Sequence, residues 1–158
     1  LYPDIGLNGG GWHIHGSGGK LNVHQDYSMH PKMELQRKLN IILYLSKDWN
    51  PEWGGALELW SHNEETNKPQ EKIDTVDIEY NRAVIFDTTQ NSWHGFNGGL
   101  QSPPGIYRKS IAMYYVQYPD QTAKNIYRAQ YAPSKEQEND PAILAFIEKR
   151  KTINWRTS

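Results

Sequence analysis

Residues 37–46, RKLNIILYLS, constrain the fold more than any other stretch of the chain. They are apolar and β-branched, without the three- and four-residue spacing of a helical stripe. Read as a strand, alternation puts Leu39, Ile41, Leu43 and Leu45 on one face and Asn40, Ile42 and Tyr44 on the other. Further strands are predicted at residues 12–15, 20–24, 56–60, 72–79, 83–87, 92–96 and 106–117. Glycine-rich turns fill most of residues 1–19, a Pro-Gly turn spans 50–55, and residues 62–70 read as a polar loop. Only the tail looks helical. There Asp140 and Pro141 suit the N-cap and first helical position, followed by an apolar face of Ile143, Leu144, Phe146 and Ile147. Many short strands without alternating helices argue for a mainly β barrel or sandwich of jelly-roll type, closed by a C-terminal α-helix.

At 158 residues the chain fits a single domain with a real core. We take residues 1–158 as one domain, with a barrel core over 12–118 and an extension over 119–158. A net charge of −1 offers neither a basic field for nucleic acid nor a polybasic membrane patch. With no cysteine, disulfide scaffolds, zinc fingers, iron–sulfur clusters and thiol nucleophiles are excluded, so any metal must be held by His, Asp or Glu. Six Trp and ten Tyr favour a β-rich body with an aromatic-lined cavity. No apolar run reaches transmembrane length and no signal peptide is visible, so a cytoplasmic location is expected. The chain starts at Leu1 rather than Met, which leaves room for upstream residues.

His24 and Asp26 lie two apart, so a strand would point both to one face, and His94 follows in a distant strand with Gly95 behind it. Two imidazoles and one carboxylate can cap one face of Fe(II) and leave the opposite face open for a co-substrate and dioxygen. Alone, such a match also arises by chance among six histidines. A later strand carries Arg108, Ser110, Ala112 and Tyr114 on one face. A buried arginine is costly unless paired. Its natural partner is a bidentate carboxylate, supplied either by a dicarboxylate co-substrate or by a structural ion pair. Tyr44 could donate to the same carboxylate or simply pack in the core. Together these residues suggest a non-haem iron oxygenase that uses 2-oxoglutarate. His13 and His15 would also share a strand face, but no glutamate follows at a useful distance, and His15 fits better as a pocket-lining residue. His30 and His62 fall in polar stretches and read as solvated.

The stretch from His15 to Pro119, about two-thirds of the chain, resembles the prolyl-hydroxylase-like branch of the Fe(II)/2-oxoglutarate dioxygenases. The residues that carry the resemblance are HGSGGKLNVHQD (15–26), LYLSKDW (43–49), WGGALELW (53–60), AVIFD (83–87), WHG (93–95) and RKSIAMYY (108–115). Each is common alone, but the order and spacing are specific. The resemblance implies a double-stranded β-helix with His24, Asp26 and His94 as metal ligands. It implies that Arg108 binds the distal carboxylate of 2-oxoglutarate with help from Ser110 and Tyr44, and that Leu57 packs on the methylenes. It further implies Fe(II), 2-oxoglutarate and dioxygen, with ascorbate as an additional cofactor. The expected reaction hydroxylates an unactivated C–H, a peptidyl proline by default, and releases succinate and carbon dioxide. A small-molecule substrate (amino acid, sugar or natural product) is the first alternative. A jelly-roll module that binds metal or carbohydrate without turnover is the second. Departures lie at His15 and Leu21, where the family commonly has aromatic residues, and in the long 94–108 connection with its Gly-Gly and Pro-Pro pairs. They bear on substrate choice rather than on the metal.

Overall fold

The computed structural model of the chain describes residues 1–88 and 91–152. Two five-stranded antiparallel sheets face each other as a double-stranded β-helix. The first combines β1 (Tyr2–Pro3), β2 (Gly11–His15), β4 (Gln36–Tyr44), β7 (Ala83–Asp87) and β9 (Arg108–Gln117), in the order β1-β9-β4-β7 with β2 also on β9. The second runs β10 (Gln130–Tyr131), β3 (Leu21–Gln25), β8 (Trp93–Phe96), β5 (Leu57–Asn63) and β6 (Lys68–Val76). One helix, α1 (Pro141–Thr152), packs near β10. Among the described residues no helix is long and apolar enough to cross a membrane.

Alternation decides which faces meet. On β4 the inner set is Asn40, Ile42 and Tyr44, all buried, while Leu39, Ile41 and Leu43 are only half-buried on the outside. On β9 the inner set is Arg108, Ser110, Ala112, Tyr114 and Val116. Ile42, Tyr44, Leu57, Ile78 and Ala112 form the main apolar cluster between the sheets. Val23, Trp93 and Ala132 form a second, with Trp60 against it.

Three expectations change. The polar stretch 62–70 is not a loop: β5 runs to Asn63 and β6 starts at Lys68, with Asn63 paired to Lys68 and His62 to Pro69. The Asn63 side chain accepts from the backbone N–H of Glu65 and Thr66, and Asn67 turns the chain at φ 52°. β6 is an edge strand with little burial, so a polar sequence and a proline are tolerated. Second, Asp140 does cap α1, accepting from Ala142 and Ile143, but the expected apolar face is mostly uncovered. Only Ile147 is buried; Phe146 is 60% exposed. Third, the two-residue strands β1 and β10 are too short to show periodicity in sequence.

Candidate metal centre

His24 and His94 sit directly opposite each other on neighbouring antiparallel strands. Their ring centroids are 4.4 Å apart. Gly95 allows this approach: a Cβ there would lie 2.8 Å from the Leu21 carbonyl oxygen and 2.9 Å from the Val23 Cα. The two imidazoles are anchored alike. Nδ1 of His24 donates to the Asn22 carbonyl at 2.9 Å, and Nδ1 of His94 to the Ser92 carbonyl at 3.0 Å. With Nδ1 carrying the proton, each Nε2 keeps its lone pair for a metal.

Asp26 follows directly after β3. Its Oδ1 lies 3.9 Å from His24 Nε2 and its Oδ2 3.7 Å from His94 Nε2. One donor atom from each of the three residues lies within 4.8 Å of the others, a spacing that can surround one cation. The facing sheet holds the carboxylate. Tyr114 donates to Oδ2 at 3.1 Å, Asn40 donates to it at 3.4 Å, and Arg37 Nη1 is 3.9 Å from Oδ1. Burial alone would raise the Asp26 pKa, but the His94, His24 and Arg37 charges and the Tyr114 hydrogen bond hold it below the usual range. Burial, reinforced by His94, lowers the His24 pKa to about 4 despite Asp26 and the Asn22 carbonyl. At neutral pH His24 is therefore a neutral imidazole and Asp26 a carboxylate, the forms in which each can bind a metal.

Arg37 is the residue that sequence reasoning missed. Alternation places it with Leu39 on the outer face, yet it is buried. An irregularity in the β4–β9 ladder between Arg37 and Leu39 inserts an extra residue and turns Arg37 inward, on the same side as Asn40. Its guanidinium carbon sits 3.5 Å from the Tyr27 ring centroid and 3.4 Å from that of Tyr114. It donates to the Asn8 carbonyl and the Tyr27 hydroxyl. The usable signal was a cation at the start of an otherwise apolar strand, the argument already applied to Arg108.

Arg108 is likewise buried. Its Nε donates to the Gly55 carbonyl at 2.9 Å, while Nη1 reaches Ser110 Oγ at 3.5 Å and Nη2 reaches Tyr44 Oη at 3.4 Å. Among the described residues it makes no ion pair, so the structural-partner explanation for this charge is not supported. Burial pushes its pKa down, opposed by Tyr44. Leu57 is buried in the cluster containing Tyr44, so Tyr44, Leu57, Arg108 and Ser110 share one region of the barrel interior. Gly55, at φ 82°, has no room for a side chain, since a Cβ would meet Leu100 at 2.6 Å and Arg108 Cδ at 3.1 Å. Leu100 comes from the long 94–108 connection, which hydrogen-bonds to the Gly18 and Gly19 backbone.

A cavity of about 260 Å³ opens over His24 and Asp26 of the trio, lined also by His13, His15, Leu21 and Tyr131 among others. His13 and His15 thus line this cavity and make no second metal group among the described residues. Burial, then the Arg108 charge, lowers both their pKa values. Tyr131 of β10 stacks on His24 with centroids 5.1 Å apart. His30 and His62 are not solvated as expected. His30 Nδ1 accepts from the Lys32 and Met33 backbone, and its Nε2 lies 3.4 Å from Asp4. His62 accepts from Trp93 Nε1 at 2.9 Å and stacks on that ring. Both are tied to loop or strand structure rather than to water.

Residues 10–116 match the sequence model of the 2OG-Fe(II) oxygenase superfamily. The chain belongs to that superfamily. The match contains every residue of the trio and the Arg108 region. No match is found among curated proteins. Solved structures similar to this superfamily member include a prolyl-4-hydroxylase from Pseudomonas putida, 18% identical with a TM-score of 0.46, covering 68% of this chain and 52% of that one. Another is a prolyl 4-hydroxylase from Phytophthora capsici, 19% identical with a TM-score of 0.48, covering 89% of this chain and 41% of that one. The chain thus spans about half or less of the length of these solved relatives.

Proposed function

We propose that this chain is the working core of an Fe(II)- and 2-oxoglutarate-dependent dioxygenase that hydroxylates an unactivated C–H bond. The observation that carries the proposal is a buried guanidinium, Arg108, that makes no ion pair among the described residues and lies inside the same barrel as a converging His24–Asp26–His94 trio. A non-catalytic metal- or sugar-binding module would have no use for that charge.

The donor set suits ferrous iron, since three N/O ligands from one side leave the other side open. When bound, iron and 2-oxoglutarate supply the oxidative decarboxylation that gives succinate and carbon dioxide and delivers one oxygen atom to the substrate. His24 and His94 contribute Nε2 lone pairs, and the carbonyls of Asn22 and Ser92 fix their orientation. Asp26 contributes the negative charge, with its rotamer set by Tyr114 and Asn40. Arg108 would bind the far carboxylate of 2-oxoglutarate with hydroxyl donors from Ser110 and Tyr44, and Leu57 would pack on its methylenes. The aromatic and histidine lining of the cavity limits water near the reacting atoms. The motif resemblance suggests a prolyl C–H, with a small-molecule substrate as the alternative that the enclosed size of the cavity admits.

The test is anaerobic addition of Fe(II) and 2-oxoglutarate, followed by oxygen, substrate candidates and ascorbate to keep the metal ferrous. A weak visible charge-transfer band and succinate release are expected in the wild type. Both should vanish in His94→Ala and Asp26→Ala, and full turnover in either variant would remove that residue from the mechanism.

A further inference from the structure

The cavity over the trio does not end at Tyr131. It shares Gly9, Tyr27 and Ala129 with a second, larger groove of about 600 Å³. The groove is lined on one side by the loop carrying Pro31 and Lys32, and on the other by Tyr127, Arg128, Ala129 and Arg150 from the C-terminal extension. Among the described residues its lining holds Lys32, Arg128 and Arg150 and no carboxylate, on a chain whose overall charge is −1. Arg150 is half-buried, with its Nε enclosed and lacking a hydrogen-bond partner among the described residues. Its guanidinium carbon lies 5.2 Å from the Tyr131 ring centroid, and Tyr131 in turn stacks on His24. A charged side chain kept partly out of water, within two ring contacts of the trio, is costly unless a ligand completes it. Tyr27, Pro31, Tyr127 and Ala129 supply the apolar surface between that charge and the trio.

We infer that the primary substrate is a small organic anion. Its carboxylate or phosphate binds at Arg150, and its apolar body lies across Tyr27 and Ala129 with the reacting C–H over His24 and Asp26. Groove and cavity together have the size of small-molecule sites rather than of an open peptide track. The extension is on this view a substrate-selecting element, with Arg150 delivered by the last turn of α1. The inference rests on the function proposed above for the choice of reacting end, and the anion site is testable separately.

The experiment measures binding by ligand-observed NMR to the full chain, with Fe(II) and saturating 2-oxoglutarate under nitrogen. The probes are N-acetylphenylalanine, its uncharged amide, phenyl phosphate, and a neutral Gly-Pro-Gly-containing peptide. The anions should bind at least tenfold tighter than the amide, and more weakly as salt rises. Which of the two anions binds tighter assigns carboxylate or phosphate. Arg150→Gln should cost at least tenfold, and Arg150→Lys should recover most of it. Arg150→Met, which keeps the packing on Tyr131 without the charge, gives the same reading if Arg150→Gln does not fold. Equal affinity for acid and amide, anion affinity unchanged in the Gln and Met variants of Arg150, no anion binding at all, or preference for the neutral peptide would each overturn the inference. The visible band of the wild-type sample reports separately on the iron and 2-oxoglutarate site, so its absence would count against the proposed function and not against the anion site.

Discussion

His24 and His94 face each other across adjacent antiparallel strands, and each donates its Nδ1 proton to the carbonyl two residues before it. The same local bond on two paired strands orients both Nε2 atoms, with Tyr131 stacked on the His24 ring and Phe86 edge-on to the His94 ring. The relationship depends on how closely β3 and β8 approach, which Gly95 sets.

Gly95→Ala should therefore act on the metal site through the backbone. The added methyl would meet the Leu21 and Asn22 carbonyl oxygens below 3 Å, so the strands must part. A stability loss of about 1–3 kcal/mol is expected from overpacking. Metal affinity should fall at least tenfold, as for other disturbances of ligand orientation, roughly 10–100-fold. Thermal unfolding with and without Fe(II), and a metal titration, check both effects. Wild-type metal affinity in this variant would show that the strand spacing does not position the ligands.

Arg108 should separate co-substrate affinity from stability. Arg108→Ala is expected to weaken 2-oxoglutarate binding by about 2–4 kcal/mol, the cost of truncating one member of a buried charge pair. Arg108→Met, which fills the space without the charge, should leave the co-substrate-free protein as stable as wild type or more so, because burial of the guanidinium is not offset by an acid. Titration with 2-oxoglutarate and chemical denaturation measure the two effects. Unchanged 2-oxoglutarate affinity would move the anchor elsewhere.

Arg37→Met should do the reverse and destabilise. It removes a cation held between the Tyr27 and Tyr114 rings, worth roughly 0.5–2 kcal/mol per ring, and strips the Asn8 carbonyl of a donor. Arg37→Lys should not recover the loss, because an ammonium cannot stack as a flat ion between two rings. Denaturation midpoints for the two variants decide it. Full recovery by lysine would reduce the role of Arg37 to its charge beside Asp26.

The metal-free protein should lose stability as pH falls below neutral. His24 has its pKa lowered from 6.5 to about 4 by folding, so the unfolded chain takes up the proton first. Stability is then greatest above pH 6.5, declines as pH falls from there to about 4, and levels off once the folded form is protonated too. The decline from this residue alone is about 3 kcal/mol. His13, His15 and His30, also lowered, add in the same direction. Asp26 acts further down: its depressed pKa gives stability that is lost as pH falls below 3.8 through the folded value. Urea unfolding in the presence of a chelator at several pH values measures the profile, and Fe(II) should flatten it by occupying Nε2. A chelated protein equally stable at pH 7 and pH 4 would show that burial does not hold these imidazoles neutral.

Several features were legible because they follow from spacing. Alternation groups Asn40, Ile42 and Tyr44 on one face of β4 and Arg108, Ser110 and Tyr114 on one face of β9, and the structure keeps each group together and turns it inward. Asp140 and Pro141 mark the start of α1, since capping is a local affair. The β5–β6 hairpin was hidden because an edge strand with two wet faces has no burial pattern to display. Arg37 was hidden because the strand irregularity that turns it inward leaves no mark on the residue order.

Local chemistry and strand parity thus determined from sequence alone which side chains could serve as ligands and which strands would carry them inward. Only the tertiary structure decided that His24 pairs with His94, that Asp26 is held by Tyr114 and Asn40 from the opposite sheet, and that Arg108 has no acidic partner among the described residues. It likewise decided that the C-terminal extension brings Tyr131 and Arg150 over the site. The reason is physical. Periodicity reports the direction of a side chain from its own backbone, whereas contacts between residues far apart in the chain depend on how two sheets close and on the register each ladder settles into.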